Sequence, residues 1–216
     1  MLENIEVLCH SSIKFNKGKV IYFDPFKIEK NYNDADVIFI THDHYDHYSE
    51  EDIDKVIKAG TTVVAPEDLL TKLLKKSFEK ENIVMVTTSK EYTVKGIEFQ
   101  TIAAYNINKQ FHPKSNAWVG YLLKLEGLTY YIAGDTDITE ENKKVKCDVA
   151  FVPVGGTFTM NYKEAAELIN EIKPKIAVPT HYGCIVGEKS DGISFSKLVS
   201  NEIEVEILIK MENNKI

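Results

Sequence analysis

The sequence predicts an α/β protein built as an αββα sandwich: two mixed β-sheets packed face to face, with helices on the outside. Two observations point there. Short apolar runs that read as buried strands alternate with stretches that carry helix-start signals. The two halves of the chain also resemble one another. YFDPF is followed by ADVIFITHDH, and IAGDT is followed by CDVAFVPVGG. In each half a strand ending near an aspartate is followed, about a dozen residues on, by a strand that begins Asp-Val.

Taken in order, residues 5–9 and 20–24 read as strands with a turn near Asn16-Lys17-Gly18, and Asp24-Pro25 ends the second. Residues 36–40 form the next strand. Ser49-Glu50-Glu51-Asp52 reads as a capping box that opens a helix over about 50–59. A short strand at 61–65 precedes a helix expected to start at Pro66, since proline suits a first helical turn. Residues 83–87 form a strand; 92–95 and 97–103 form a hairpin across Lys95-Gly96. Residues 104–116 are an irregular polar loop. A second hairpin, 118–125 and 128–133, turns at Glu126-Gly127. A buried strand at 148–153 leads to a helix at 162–172, capped by Asn161 with Glu164 three residues on. A strand at 175–179, a helix near 194–200 and a strand at 203–209 complete one domain spanning 1–216.

The chemistry concentrates in THDHYDH, residues 41–47, which holds three of the six histidines. It lies between an apolar strand and a capped helix, where α/β proteins preferentially build binding sites. Imidazole and carboxylate ligands suit zinc, manganese or iron. His42 and His44 are two apart and project to one side of an extended segment. Asp46 and His47 can face a neighbouring point. One loop can thus offer two ligands to each of two ions, and two ions about 3.5–4 Å apart can share a hydroxide. Asp135 in Gly134-Asp135-Thr136 and His181 in Thr180-His181-Tyr182-Gly183 also follow directly on apolar strands.

With these residues in place, the chain resembles the metallo-β-lactamase fold superfamily. HDHYDH matches its HxHxDH motif, and GDT and THYG look like its later metal-binding motifs. PVGGTFTMNYKEAAE and the early His10-Ser11-Ser12 look more like a branch of small bacterial hydrolases related to L-ascorbate-6-phosphate lactonase. The resemblance implies that His42 and His44 serve a first metal and Asp46, His47 and His181 a second, with Asp135 bridging. It implies that Asp24 orients a ligand, with Thr41 and Thr136 as candidate hydrogen-bond partners beside it. One family ligand is missing: the histidine expected after a strand is replaced by Ala103-Ala104-Tyr105-Asn106. Only His10 and His112 are then unassigned. His112 lies in the right interval, between Phe111 and Pro113, and is expected to complete the first site rather than Asn106 or His10. His10 reads either as a contact to substrate or leaving group, and so catalytic, or as a buried structural residue.

Composition narrows the function. The net charge of −7 argues against a general nucleic-acid binder. All 26 basic residues are lysine, so no arginine can clamp a phosphate or carboxylate. Lys109 and Lys114 could meet an anionic substrate, although solvated lysines are the plainer reading. No apolar run is long enough to span a membrane, and with no basic segment followed by a long apolar one near residue 1, a soluble protein without an export signal is expected. Cys9, Cys147 and Cys184 form neither a disulfide framework nor a CxxC site, which suits reduced thiols in the cytoplasm. The expectation is a hydrolase that uses a hydroxide bound by two divalent ions, zinc first with manganese or iron open, on a small lactone, other ester or amide. Asp46 would accept the hydroxide's proton. A phosphodiesterase of the same fold is the alternative within enzymes. An iron redox enzyme would need a flavin partner, and a metabolite or metal sensor would need a degenerate site.

Overall fold

The computed structural model describes residues 1–76 and 78–209. The first sheet holds β1 (Ile5–Cys9), β2 (Ser12–Lys17), β3 (Lys19–Phe23), β4 (Val37–Phe39), β5 (Thr62–Pro66) and β6 (Ile83–Val86), in that spatial order. The second holds β7 (Glu91–Val94), β8 (Ile97–Ala103), β9 (Val119–Leu125), β10 (Leu128–Ile132), β11 (Val149–Pro153), β12 (Ile176–Thr180) and β13 (Glu204–Val205), also in sequence order. Both sheets are mixed. β1–β3 are antiparallel and β3–β6 parallel; β7–β10 are antiparallel and β10–β13 parallel.

The strand pattern sets the layers. In β4, Val37 and Phe39 face the second sheet, whereas Ile38 and the following Ile40 face outward. The outward residues pack under α1 (Glu50–Val56) and α2 (Leu70–Lys75) through Ile53, Val56 and Leu73. Between the sheets Phe39 stacks on Phe23 at 5.1 Å and meets Phe99 and Tyr121 edge-on, each at 5.0 Å. α3 (Tyr162–Ile172) buries Ala165, Leu168, Ile169 and Ile172, and packs on β11. α4 (Asp191–Ser196) covers β12. The order helix, sheet, sheet, helix is the predicted sandwich.

The two halves repeat in their hydrogen bonds as well as their letters. Asp36 accepts from Val20 N and Asp148 from Thr129 N, both at 2.8 Å. Their own N–H groups return to the same partners' carbonyls, Asp36 to Val20 and Asp148 to Thr129. Each aspartate therefore locks the start of one parallel pair, β3 with β4 and β10 with β11. Asp24 follows β3, and Asp135 closely follows β10.

Some elements differ from their sequence expectation. β2 was not anticipated, although Ile13 and Phe15 point inward and Asn16 outward in the strand's two-residue period. Pro66 ends β5 instead of opening a helix; its ψ of 154° is extended, and α2 starts at Leu70 after a 3₁₀ turn. α1 stops at Val56 because Ile57 is extended and Lys58 N bonds the Thr61 hydroxyl. Ser49 caps it by accepting from Asp52 N, while the Asp52 carboxylate turns to Ile28 N and Lys27 N. α4 begins earlier than expected, and β13 is two residues long. Among the described residues no helix is long and apolar enough to cross a membrane.

Phe39 is the centre of the intersheet ring cluster. Phe39→Ala is expected to cost about 3–5 kcal/mol of unfolding free energy, read as a lower urea midpoint with an unchanged slope.

Candidate metal centre

All six histidines of the chain gather where the carboxyl ends of the parallel strands of both sheets meet, with Asp46 and Asp135 among them. Their potential ligand atoms fall into two groups. His42, His44, His112 and Asp135 form one; His10, Asp46, His47 and His181 form the other, and within each group these atoms lie within 4.8 Å of one another.

The loop after β4 is held from below by Asp24. This carboxylate is buried and follows β3 with φ of 43°. Its Oδ1 accepts from Thr41 N at 2.8 Å. Its Oδ2 accepts from Thr41 Oγ1 and from His47 Nδ1, both at 2.7 Å. Tyr121 reaches from the second sheet to Ile40 O at 2.6 Å, and Val119 N bonds Thr41 O. A turn then brings His47 N and Tyr48 N onto His44 O. The loop is thus fixed to both sheets by the protein's own hydrogen bonds.

These bonds decide the imidazole tautomers. The Thr41 hydroxyl gives its proton to Asp24, so at 2.9 Å it accepts from His42 Nδ1. His42 Nε2 is left with a lone pair aimed inward, 3.1 Å from His44 Nδ1 and 3.3 Å from His112 Nε2. His47 gives its Nδ1 proton to Asp24 and turns Nε2 inward, 3.3 Å from Asp135 Oδ1 and 3.7 Å from Asp46 Oδ2. Asp135 Oδ2 lies 3.2 Å from His112 Nε2 and 3.0 Å from His181 Nε2. Asp135 therefore reaches nitrogens of both groups. His181 N bonds His10 O at 3.0 Å, joining the end of β12 to the turn after β1.

The protonation states follow from burial and neighbours. Burial first, then the neighbouring His47, holds His42 well below the usual histidine range, and burial lowers His44 as well. His10 falls to about 4, through burial and then His181. For His47 burial works against the charge, but Asp135 and Asp24 outweigh it and raise its pKa well above 6.5. Burial likewise opposes ionisation of Asp135, and His181 and His47 overcome it. Asp46 falls to about 2, because the hydrogen bond from His10 and the charge of His47 outweigh burial.

The donor set fits divalent metal ions. His47 Nε2, His181 Nε2 and Asp135 Oδ1 are buried without a hydrogen bond. Neutral imidazole lone pairs face one another at contact distance. Unpaired buried groups of this kind are costly, and a cation between them removes the cost. Nitrogen and carboxylate ligands in fours suit zinc and its neighbours.

His10 is fully buried and its Nε2 lies 3.2 Å from Asp46 Oδ2, so in this conformation it touches the carboxylate rather than the surface. His112 is buried with φ of 59°, and its ring comes back to His42 as the loop folds. The Asn106 Nδ2 donates to Phe111 O and Phe158 O at 3.0 and 2.7 Å and lies 3.2 Å from His112 Nδ1, while its Oδ1 is buried without a hydrogen bond. Thr41 joins the Asp24 network. Thr136 instead bonds Tyr105 O and Asp137 O. Lys109 pairs with Asp137, and Lys114 with Glu141 at 2.7 Å. Cys184, three residues after His181, is half-buried, and its sulfur lies 2.9 Å from that of Cys9.

Three supports had no reading from sequence. Trp118 packs its ring against His42 and His44 at 4.8 and 4.9 Å and donates to Asp68. Its being the chain's one tryptophan was the available signal. Asn106 braces the His112 loop. Gly155 leaves room for the His181 backbone: a Cβ there would lie 2.2 Å from His181 O. Nothing local in PVGG marks that contact.

A fold and a centre of this kind define a class, and comparison with known proteins agrees. The Beta-lactamase superfamily domain matches residues 4–181. The chain belongs to the β-lactamase superfamily and is a metal-dependent hydrolase of it. It is similar to the UPF0173 metal-dependent hydrolase of Thermococcus kodakarensis, 31% identical over 216 residues, covering 94% of this chain and 95% of the relative. A UPF0173 metal-dependent hydrolase of Lysinibacillus sphaericus is 32% identical over 215 residues, covering 92% and 93%. A crystal structure from Parabacteroides distasonis, described as a candidate metal-dependent hydrolase, matches with a TM-score of 0.80 at 29% identity, covering 94% of this chain and 91% of that one.

Metal-free protein should lose stability in mild acid. The unfolded chain protonates His10 below about pH 6.5, whereas the folded chain resists until about pH 4. The unfolded state then binds more protons, so stability falls through this window by up to about 1.4 kcal/mol per pH unit for each such histidine. His42 and His44, also lowered, act in the same direction. His47, raised, is charged in both states below pH 6.5 and does not offset the loss. Urea midpoints measured from pH 7 to pH 4 check this; a flat profile would contradict it.

Proposed function

We propose that the chain hydrolyses a small lactone, other ester or amide at a centre of two divalent ions, zinc first among them. One observation carries the reading: two adjoining groups of four ligand atoms, with Asp135 reaching nitrogens of both. His42, His44 and His112 would hold one ion, Asp46, His47 and His181 the other, and Asp135 would bridge. When bound, the ions would acidify a water and polarise the substrate's carbonyl oxygen. The protein's part is to keep His42 and His44 neutral by burial and to orient His42 and His47 through Thr41 and Asp24.

Asp46 is the group placed to receive the attacking water's proton. Its low pKa makes it a relay rather than a store for that proton. His10 donates to Asp46 Oδ2 and so serves the reaction as a positioning residue. Because it is fully buried, it acts through the carboxylate instead of on the substrate.

The surroundings favour a neutral substrate with an apolar portion. Phe111 is exposed, lies 6.4 Å from the His44 ring and packs edge-on to Phe158 at 5.0 Å. Tyr45, in the cluster loop itself, is exposed as well. Lys109 and Lys114, the cations of the adjoining loop, are engaged by Asp137 and Glu141. With no arginine in the chain, a phosphodiester would find little to bind its charge. The same features support a small molecule rather than nucleic acid as substrate. We place the enzyme in the cytoplasm, working as one domain.

Chelation is expected to abolish hydrolysis, and added Zn²⁺ or Mn²⁺ to restore it, with thermal stability falling on metal loss. Activity that survives complete metal removal would refute the mechanism. A panel of aryl and alkyl esters, lactones and phosphodiesters tests the substrate class; turnover of the phosphodiesters alone would overturn the ester reading.

Metal titration tests the assignments. His112→Ala should lose close to one equivalent of tightly bound metal, whereas Asn106→Ala and His10→Ala should retain both. Asp24→Ala should weaken affinity roughly 10–100-fold, because His47 and Thr41 lose their acceptor. Full metal content in His112→Ala would remove that residue from the first site.

A further inference from the structure

Cys9 and Cys184 are 175 positions apart in the chain, yet their sulfurs lie 2.9 Å from one another. That is about 0.9 Å longer than a disulfide bond of about 2.05 Å, so a small movement would close the gap. Both residues are half-buried, within reach of a small oxidant while the surrounding chain holds them in place. Lys27 Nζ lies 3.2 Å from Cys184 Sγ. Cys147 is different: it packs against the intersheet core, and burial pushes its thiol up to about 12.

We propose that Cys9 and Cys184 are a reversible disulfide site, closed by a small-molecule disulfide. One protein sulfur, having given up its proton, attacks a sulfur of the reagent. Half of the reagent leaves as a thiol and a mixed disulfide remains. The second protein sulfur, also deprotonated, attacks the protein-bound sulfur of that mixed disulfide and expels the other half. Two protein thiols become one disulfide, and the reagent takes up the two electrons and two protons.

The bridge would tie the two sheets together beside the histidines. Cys9 immediately precedes His10, and Cys184 is three residues after His181. Those two histidines are already joined by the 3.0 Å backbone bond, with their rings 3.8 Å apart. The disulfide would hold the turn after β1 and the loop after β12 at one separation. In a reducing compartment the pair rests as a dithiol, and an oxidising shift closes it. This site does not depend on the metal assignments.

The test treats the metal-loaded protein with oxidised glutathione, quenches free thiols and maps peptides by mass spectrometry. The expected product has lost the mass of two hydrogens and contains one linked peptide pair, Cys9 with Cys184, that dithiothreitol reverses. Its melting temperature should rise on the order of 5–10 °C. Cys9→Ser and Cys184→Ser should abolish the crosslink and the rise, while Cys147→Ser keeps both. Lasting glutathione adducts on Cys9 or Cys184 without the linked pair would overturn the proposal. So would a linked pair involving Cys147, or a melting temperature unchanged by the crosslink.

Discussion

The rest of the structure is arranged around one electrostatic demand: five buried imidazoles, a half-buried sixth and two buried carboxylates are crowded together, with potential ligand atoms facing one another. Each unsatisfied polar atom in such a place costs on the order of 1–3 kcal/mol. The fold imposes the crowding regardless. Asp24, His10, His112 and His181 all adopt left-handed backbone conformations, with φ between 43° and 59°. Such geometry is unfavourable for residues with a Cβ, though aspartate and histidine tolerate it better than most. The two rigid sheets beneath hold these residues in place. A metal cation held among these atoms would satisfy the buried groups that have no hydrogen bond, His47 Nε2, His181 Nε2 and Asp135 Oδ1.

The duplicated half explains how two sheets deliver one centre. The same Asp-Val lock begins a parallel strand pair in each half, and a carboxylate follows the preceding strand in each. The two carboxylates have then taken different work. Asp24 stands behind the histidines and sets their tautomers, whereas Asp135 stands among them. The difference lies in what surrounds them: Thr41 and His47 engage both Asp24 oxygens, while imidazole nitrogens surround those of Asp135.

Much of this was legible in the sequence because it is local. The cluster, the strand before it and the capped helix after it are contiguous, and the repeat of Asp-Val could be read by eye. Gly134-Asp135 and Thr180-His181 shared the placement of a polar residue after an apolar strand. The return of His112 to His42 could be argued only by counting histidines, because a 13-residue loop has no periodicity to read. Contacts at long range were silent. Gly155 under His181, Trp118 against His42 and His44, and the meeting of Cys9 with Cys184 depend on how the sheets dock. β2 was missed despite its alternation, since its basic and polar residues made the segment look like a turn. Pro66 misled because proline opens helices and also ends strands.

The span of the centre would shape how the chain takes up metal. The grouped residues run from His10 to His181, so a complete site forms only after both sheets have formed and packed. Residues 42–47, by contrast, stay within one short segment even in the unfolded chain, which is then a weak chelating peptide. If these residues are ligands, metal held there before the fold exists would be carried into it. Any such early binding narrows the difference in metal affinity between unfolded and folded chains, and it is that difference alone that adds to stability.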